Sequence, residues 1–330
     1  MKTSFLFILI LCCVACAKST EEEVRSAVAE AKYHLSGMDC SKAEDILNDV
    51  GFQKDDANYI SVYASMQACK AGYKELDILF GGNLENINSA SLITSLASFS
   101  SSNETAPDST VYLSLNNAIN TLISYDDAAS GQPSTVARNA KFGTKKSGDL
   151  SLQALYLIFV QMGKHFALYG NAGADGAKGG DAQGFGNTCI YSYTTEDAED
   201  WITATSPGTC VPPLDGTQGS DFLEAPVGQE VIKRRLCYGI IYYNNMMDIL
   251  SNMTLPGSSE LGDVSNIQAA LALLMDNAVL AEDGAFNDGD PNGQDAITTL
   301  KDITDQTTCE AQTIERIEKF YAIFFESIYQ

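Results

Sequence analysis

Apolar residues recur at every third or fourth position along most of this chain, the spacing that gives a helix one buried face. Val24, Val28, Ala31 and Leu35 open the series, Ala43, Ile46 and Leu47 continue it, and residues 59–72 carry it further. The same period predicts helices over 88–99, 111–125, 150–169, 227–252, 264–282, 294–304 and 310–329. Clusters of turn formers separate them, among them Ser100-Ser101-Ser102-Asn103, Gly131-Gln132-Pro133-Ser134 and Leu255-Pro256-Gly257-Ser258. Strand signals are confined to one short piece at 188–194. The expectation is an all-α, multi-helix bundle over 16–330 with a loop-rich insertion over about 170–226.

Residues 39–73 hold the most regular stretch. Ser41 or Asp39 can cap a helix that stops near Gly51 and Phe52, and Asp55 or Asp56 can start a second. Ala64, Ala68 and Gly72 fall four apart on one face, where small side chains let two antiparallel helices approach closely. The stretch resembles a single tetratricopeptide unit, whose repeat is about 34 residues. Cys40 opens the first helix and Cys69 lies near the end of the second. An antiparallel hairpin brings those two together, so a Cys40–Cys69 bridge is predicted.

Charge and cysteine usage narrow the setting. The chain has 330 residues, a net charge of −23, two histidines and 45% hydrophobic residues. That balance supports a sizeable core and argues against a nucleic-acid partner. No segment after residue 16 reaches eighteen uncharged apolar residues, so no transmembrane helix is predicted. At the start, Lys2, the apolar run 5–11 and Cys13-Val14-Ala15-Cys16 read as a signal peptide over 1–15. The Cys13-to-Cys16 segment resembles the lipobox of bacterial lipoproteins, with Cys13 where the pattern has leucine. The resemblance implies that Cys16 is diacylated, with palmitate-type chains, and becomes the first residue. Ala17, rather than an aspartate, follows it, which by resemblance to enteric sorting implies the outer membrane, on its periplasmic face or at the cell surface.

Six cysteines then remain: Cys40, Cys69, Cys189, Cys210, Cys237 and Cys309. An even count in an exported chain suggests disulfides, and the absence of a C-x-x-C pair among these six, with His34 and His165 far apart in sequence, argues against zinc. Cys189 and Cys210 bracket part of the insertion, with Trp201, and loop closure makes them the simplest pair. Cys237 and Cys309 are left to tie two late helices together.

Candidate chemistry is sparse. Asp288, Asp290 and Asn292, followed by Gly293, match the opening of a calcium loop, but Thr299 stands where the bidentate glutamate belongs. The alternatives are a polar turn or a weak structural calcium site; no other cofactor is expected. Gly170, Gly173 and the glycines that follow them form no phosphate-cradling motif, and no nucleophile elbow surrounds a serine. A catalytic cluster is therefore not predicted. Two basic groups stand out. Arg138, Lys141, Lys145 and Lys146 precede the very apolar 150–169, which includes Leu155 and Phe159, while Lys233, Arg234 and Arg235 precede 236–250. Cations beside apolar surface suit a phospholipid, with phosphate on the basic groups and acyl chains on the apolar ones. The competing reading makes 150–169 a central core helix and lets Glu230 pair with Lys233 or Arg234.

Two family resemblances bear on function. The cysteine-bearing hairpin behind a lipobox resembles the tetratricopeptide-like periplasmic lipoproteins that partner TRAP-type transporters. The acylated start, the helical body and the loop at Tyr169-Gly170-Asn171 are similar to the porin-like lipid-trapping lipoproteins of predatory bacteria. That family forms ring-shaped homo-oligomers enclosing lipid. The leading expectation is a non-enzymatic, outer-membrane-anchored lipoprotein that self-associates and encloses lipid or another apolar ligand. Its rival is a helical adaptor holding a protein or small-molecule partner in a mostly polar groove.

Overall fold

The computed structural model describes residues 20–73, 110–125, 133–169, 189, 191, 193–205, 229–252, 262–285 and 296–326. In chain order the described helices are α1 (Glu21–Ser36), α2 (Cys40–Asp49), α3 (Ala57–Lys70), α4 (Thr110–Ser124), α5 (Thr135–Phe142) and α6 (Thr144–Tyr169). They continue as α7 (Glu196–Thr205), α8 (Gln229–Asn252), α9 (Gly262–Ala285), α10 (Ala296–Leu300), α11 (Gln306–Glu310) and α12 (Ile314–Phe320), which runs into a π-helical turn at Tyr321–Phe325. The fold is all-α, and no strand occurs among the described residues, including those of the short piece at 188–194.

Local capping explains where the first helices begin. Thr20 and Glu23 form a reciprocal capping box: the Glu23 amide donates to Thr20 Oγ1 at 3.2 Å, and the Thr20 amide donates to the Glu23 carboxylate at 2.6 Å. Those bonds hold the Glu23 carboxyl below its usual pKa, the backbone bond being the larger cause. Asp39, not Ser41, caps α2 by accepting from the Lys42 amide. Asp56, not Asp55, caps α3 by accepting from the amides of Asn58 and Tyr59. Between them Gly51 turns the chain at φ +70°, a conformation that a side chain would strain. The resulting hairpin closes Cys40 onto Cys69, with Cα atoms 5.7 Å apart.

Packing places the small residues differently from the expectation. Tyr59, Val62 and Met66 face α1 and α2, where they join Val24, Ala31, Ala43 and Leu47 in a separate apolar core. Ala64 and Ala68 instead join the larger core with Leu115, Ala118 and Leu122 of α4. The small face therefore admits α4 rather than the hairpin partner α2.

The larger core is organised by α6 and α8. On α6, Ala154, Leu157, Ile158 and Val160 are fully buried, and the helix packs against α4, α5 and α8. Helix α6 begins six residues before the predicted start, and α5 was not predicted. Its sequence, TVARNAKF, is too polar for an apolar period, and Gly143 at φ +78° separates it from α6. Part of the predicted loop-rich insertion is also helical. Ala198, Trp201 and Ile202 of α7 belong to the core, with α7 packed on α12 and the π turn.

The late helices are shorter than their pattern. Glu282 of α9 accepts from the amides of Ala296 and Ile297 at the start of α10. At its end, Asn244 donates to the carbonyls of Leu300 and Ile303, and Asn245 donates to that of Thr304. Side chains from neighbouring helices thus satisfy the orphan groups at both ends, so α10 stops after five residues. The predicted 310–329 helix is likewise broken before Thr313, which caps α12.

Candidate binding groove

The predicted contact residues are dispersed and mostly engaged within the protein. Arg138 is fully buried, donating to the Ile123 carbonyl at 3.0 Å and to Thr135 Oγ1 at 2.6 Å, 3.7 Å from the Asp248 carboxylate. Burial lowers its pKa, and the geometry makes it a strut between α4, α5 and α8. Lys141 pairs with Asp55 at 2.9 Å and lies over the Tyr125 ring. Lys145 sits 3.6 Å from Asp149 in an exposed pair. Lys233 pairs with Glu230 at 3.4 Å, Arg234 lies 3.7 Å from Glu310, and Arg235 is buried. Leu155 and Phe159 are core residues of α6, so neither has an exposed face to offer acyl chains.

Lys146 borders a pocket. That pocket, about 580 Å³ and open, lies at the start of α1 and is lined by Glu21, Arg25, Lys54, Asp55 and Asp56 as well.

The remaining expectations fall in two sets. Cys237 and Cys309 are joined, tying α8 to α11 with Cα atoms 5.7 Å apart. Cys189 is disulfide-bonded, and its predicted pairing with Cys210 lies outside the described residues. Cys16, Asp288, Asp290 and Asn292 also lie outside them. Among the described residues no group of three or more His, Cys, Asp or Glu could hold a metal ion, and no helix is long and apolar enough to cross a membrane.

Neither histidine forms a nucleophile–base pair in the described structure. His34 lies 3.3 Å from the Asp39 carboxylate. His165 is buried at the α6–α8 contact, with Nε2 3.2 Å from the Tyr321 hydroxyl, which donates to the Leu236 carbonyl at 2.7 Å. Burial pulls its pKa from 6.5 down to about 3, so the ring is neutral at ordinary pH. Gly239 makes this approach possible, because a Cβ there would stand 2.2 Å from the Tyr321 hydroxyl and 2.7 Å from His165 Nε2.

A second concavity among the described residues is a groove of about 350 Å³ between α3, α4, α8 and the 304–307 turn. Helix α4 builds its polar wall. Leu115, Ala118, Ile119 and Leu122 commit one side of α4 to the core, which turns Asn117, Asn120 and Thr121 toward the groove. Asn116, at the edge of the core, accepts a bond from the Tyr242 hydroxyl through Oδ1. Gln161 of α6 donates in turn to Tyr242 at 3.4 Å, so a buried polar chain fixes the Asn116 carbonyl.

Gln67 of α3 lines the facing wall, and neither it nor Asn117 nor Asn120 spends its side-chain amide on another of the described residues. Aromatic rings flank these amides. Phe52 and Tyr63 meet edge to face at 5.2 Å, and Tyr238 lies parallel to Tyr242 at 6.0 Å. Thr304 Oγ1 donates to the Pro133 carbonyl at 3.0 Å and holds the far rim together. No lysine, arginine or histidine is among the described lining residues. The one carboxylate, Asp305, caps α11 by accepting from the Thr308 amide at 2.9 Å.

Hydrophobic period alone does not mark this wall. Its signal was present in Asn116-Asn117-Ala118-Ile119-Asn120: three asparagines within one helical turn, where asparagine is a poor interior helix former. Departures from local propensity concentrate at functional positions. Comparison with known proteins adds nothing to this geometry: no family model, no curated protein and no solved structure matches the chain.

Proposed function

We propose that this chain is a non-enzymatic binding protein, exported and held at the outer membrane by a lipid on Cys16, with its ligand in the α3–α4–α8 groove. The observation that carries the reading is the set of side-chain amides, on Gln67, Asn117 and Asn120, that line one groove and make no hydrogen bond among the described residues. Binding sites are concavities in which a few placed polar groups fix orientation between apolar walls, and this volume falls at the low end of their range. The tetratricopeptide-like hairpin supplies one wall and the α4–α8 body the other, as an adaptor requires.

The anchor would attach next to the hairpin, at the start of α1. Four residues separate Cys16 from Thr20, a reach of at most about 14 Å. A lipid on Cys16 would hold the start of α1 at the bilayer, beside the pocket where Arg25, Lys54 and Lys146 alternate with Glu21, Asp55 and Asp56. Of the two readings drawn from sequence, the polar-groove adaptor has this support, whereas enclosure of lipid would need apolar faces of α6 and α8 that pack inward here.

Full-length protein extracted from its own membrane and weighed intact by native mass spectrometry tests the proposal. The expected result is a diacylated chain with no phospholipid at fixed stoichiometry. A closed oligomer carrying stoichiometric phospholipid would overturn it in favour of lipid enclosure.

A further inference from the structure

We infer that the groove takes a neutral carbohydrate, which rests on the groove being the binding site. Its walls present side-chain amides that both donate and accept, joined by the Ser124 hydroxyl and by Thr121 Oγ1, which donates to the Asn117 carbonyl and keeps its acceptor lone pairs. A polyol answers that surface, because each sugar hydroxyl is also both donor and acceptor. Apolar ligands would leave the amides desolvated and unpaired, which is costly. An extended peptide shows one donor and one acceptor per residue, spaced about 3.3 Å along its length. Such a ligand would leave most of a short, amide-crowded wall unmatched.

The rings supply the second half of the recognition. Tyr238 and Tyr63 are half-buried and braced by neighbouring tyrosines, Tyr238 by Tyr242 and Tyr63 by Tyr59, each pair near parallel. Tyr63 lines the groove, and an aromatic face suits the polarised C–H face of a pyranose ring. Charge then restricts the sugar. The lining offers no cation among its described residues, and a chain of net charge −23 repels anions. Uronic, sialylated and phosphorylated sugars are thereby disfavoured, and neutral ones remain.

The test is a glycan array of neutral and acidic oligosaccharides, probed with the full-length protein in an amine-oxide detergent, which has no sugar headgroup of its own. Wild type and an Asn117→Ala/Asn120→Ala double variant are compared, with an alanine–serine peptide as the competing ligand in calorimetry. The expected result is binding confined to neutral glycans and weakened at least tenfold in the variant, whose thermal unfolding temperature is not lowered. Binding to acidic glycans, or to no glycan, overturns the inference. Peptide binding that the variant abolishes, without glycan binding, overturns the carbohydrate and leaves the groove as the site. Glycan binding that the variant retains overturns the groove itself.

Discussion

In the α1–α3 unit the buried side chains include Val24, Ala31, Ala43, Leu47, Val62 and Met66, with Tyr59 reaching the Leu47 carbonyl through its hydroxyl and Ser65 the buried polar residue. In the body built on α6, α8 and α12, the buried set includes Arg138, His165, Glu282, Glu318 and Asn244. Glu318 illustrates the contrast. Its carboxylate accepts from the Tyr191 hydroxyl, the Thr194 amide and hydroxyl, and the Thr195 amide, all between 2.7 and 2.9 Å. The first region is held by apolar burial between near neighbours in sequence. The second also depends on buried polar groups that tie distant segments, and such groups are expensive unless every partner is present.

The largest expected difference lies in the disulfides. Cys237–Cys309 closes 72 residues and Cys40–Cys69 closes 29. Chain-entropy arguments make the first worth about 4.4 kcal/mol and the second about 3.6 kcal/mol. Replacing each pair by alanine and measuring denaturant midpoints should give a greater loss for Cys237/Cys309. Equal losses would mean that the unfolded body keeps residual structure which already shortens the longer loop.

Glycine substitution sharpens the comparison at a smaller scale. Gly239→Ala drives a methyl into Tyr321 and His165, both locked in the core, and should cost about 3 kcal/mol through overpacking and a broken hydrogen bond. Gly51→Ala meets no atom within 4 Å and strains only its positive φ, at a cost of about 1 kcal/mol. Thermal unfolding of the two variants ranks them. A mild Gly239→Ala would show that the α6–α8 contact relaxes where the packing says it should not.

These same contrasts govern what could be read before the structure. Helices α1, α2 and α3 were legible because a period, a cap and a turn glycine all act within a few residues of one another. Cys40–Cys69 followed from that hairpin alone. By contrast, Glu318 is 127 residues from Tyr191, and Thr304 is 171 residues from Pro133. No local pattern records such pairings. Arg138 looked like a surface cation because its neighbours are polar, yet Asp248, Thr135 and the Ile123 carbonyl make its burial tolerable. Helix α5, too polar to show a period, owes its place to the same contacts. The groove was hidden for a related reason: its walls come from α3, α4, α8 and the 304–307 turn, and only the asparagines of α4 leave a trace in sequence.

Acid should weaken the body through His165. Its folded pKa of about 3 lies below the ordinary 6.5, so between those values the unfolded chain binds a proton that the folded chain refuses. Stability therefore falls as pH drops through that window, by about 2 kcal/mol between pH 7 and pH 5 from this group. Urea unfolding at the two pH values, in wild type and His165→Asn, isolates the contribution. The variant should show the shallower dependence; an unchanged dependence would mean that the imidazole is charged, or reached by water, in the folded protein.

The smallest effect is opposite in sign and tests the groove most directly. Asn117 and Asn120 lie on exposed positions of α4 and make no side-chain bond among the described residues. Alanine at both should raise stability by about 1 kcal/mol, because the helix exchanges two poor formers for the best one. A chain that retains two such residues in adjoining turns forgoes that gain, as binding surfaces commonly do. Differential scanning calorimetry of the double variant decides the matter. A raised midpoint alongside lost ligand binding separates the amides of α4 from the buried amides Asn244 and Asn245, which end α10 and whose loss would instead destabilise the body. A lowered midpoint would make Asn117 and Asn120 structural and remove the reason for reading this wall as a site.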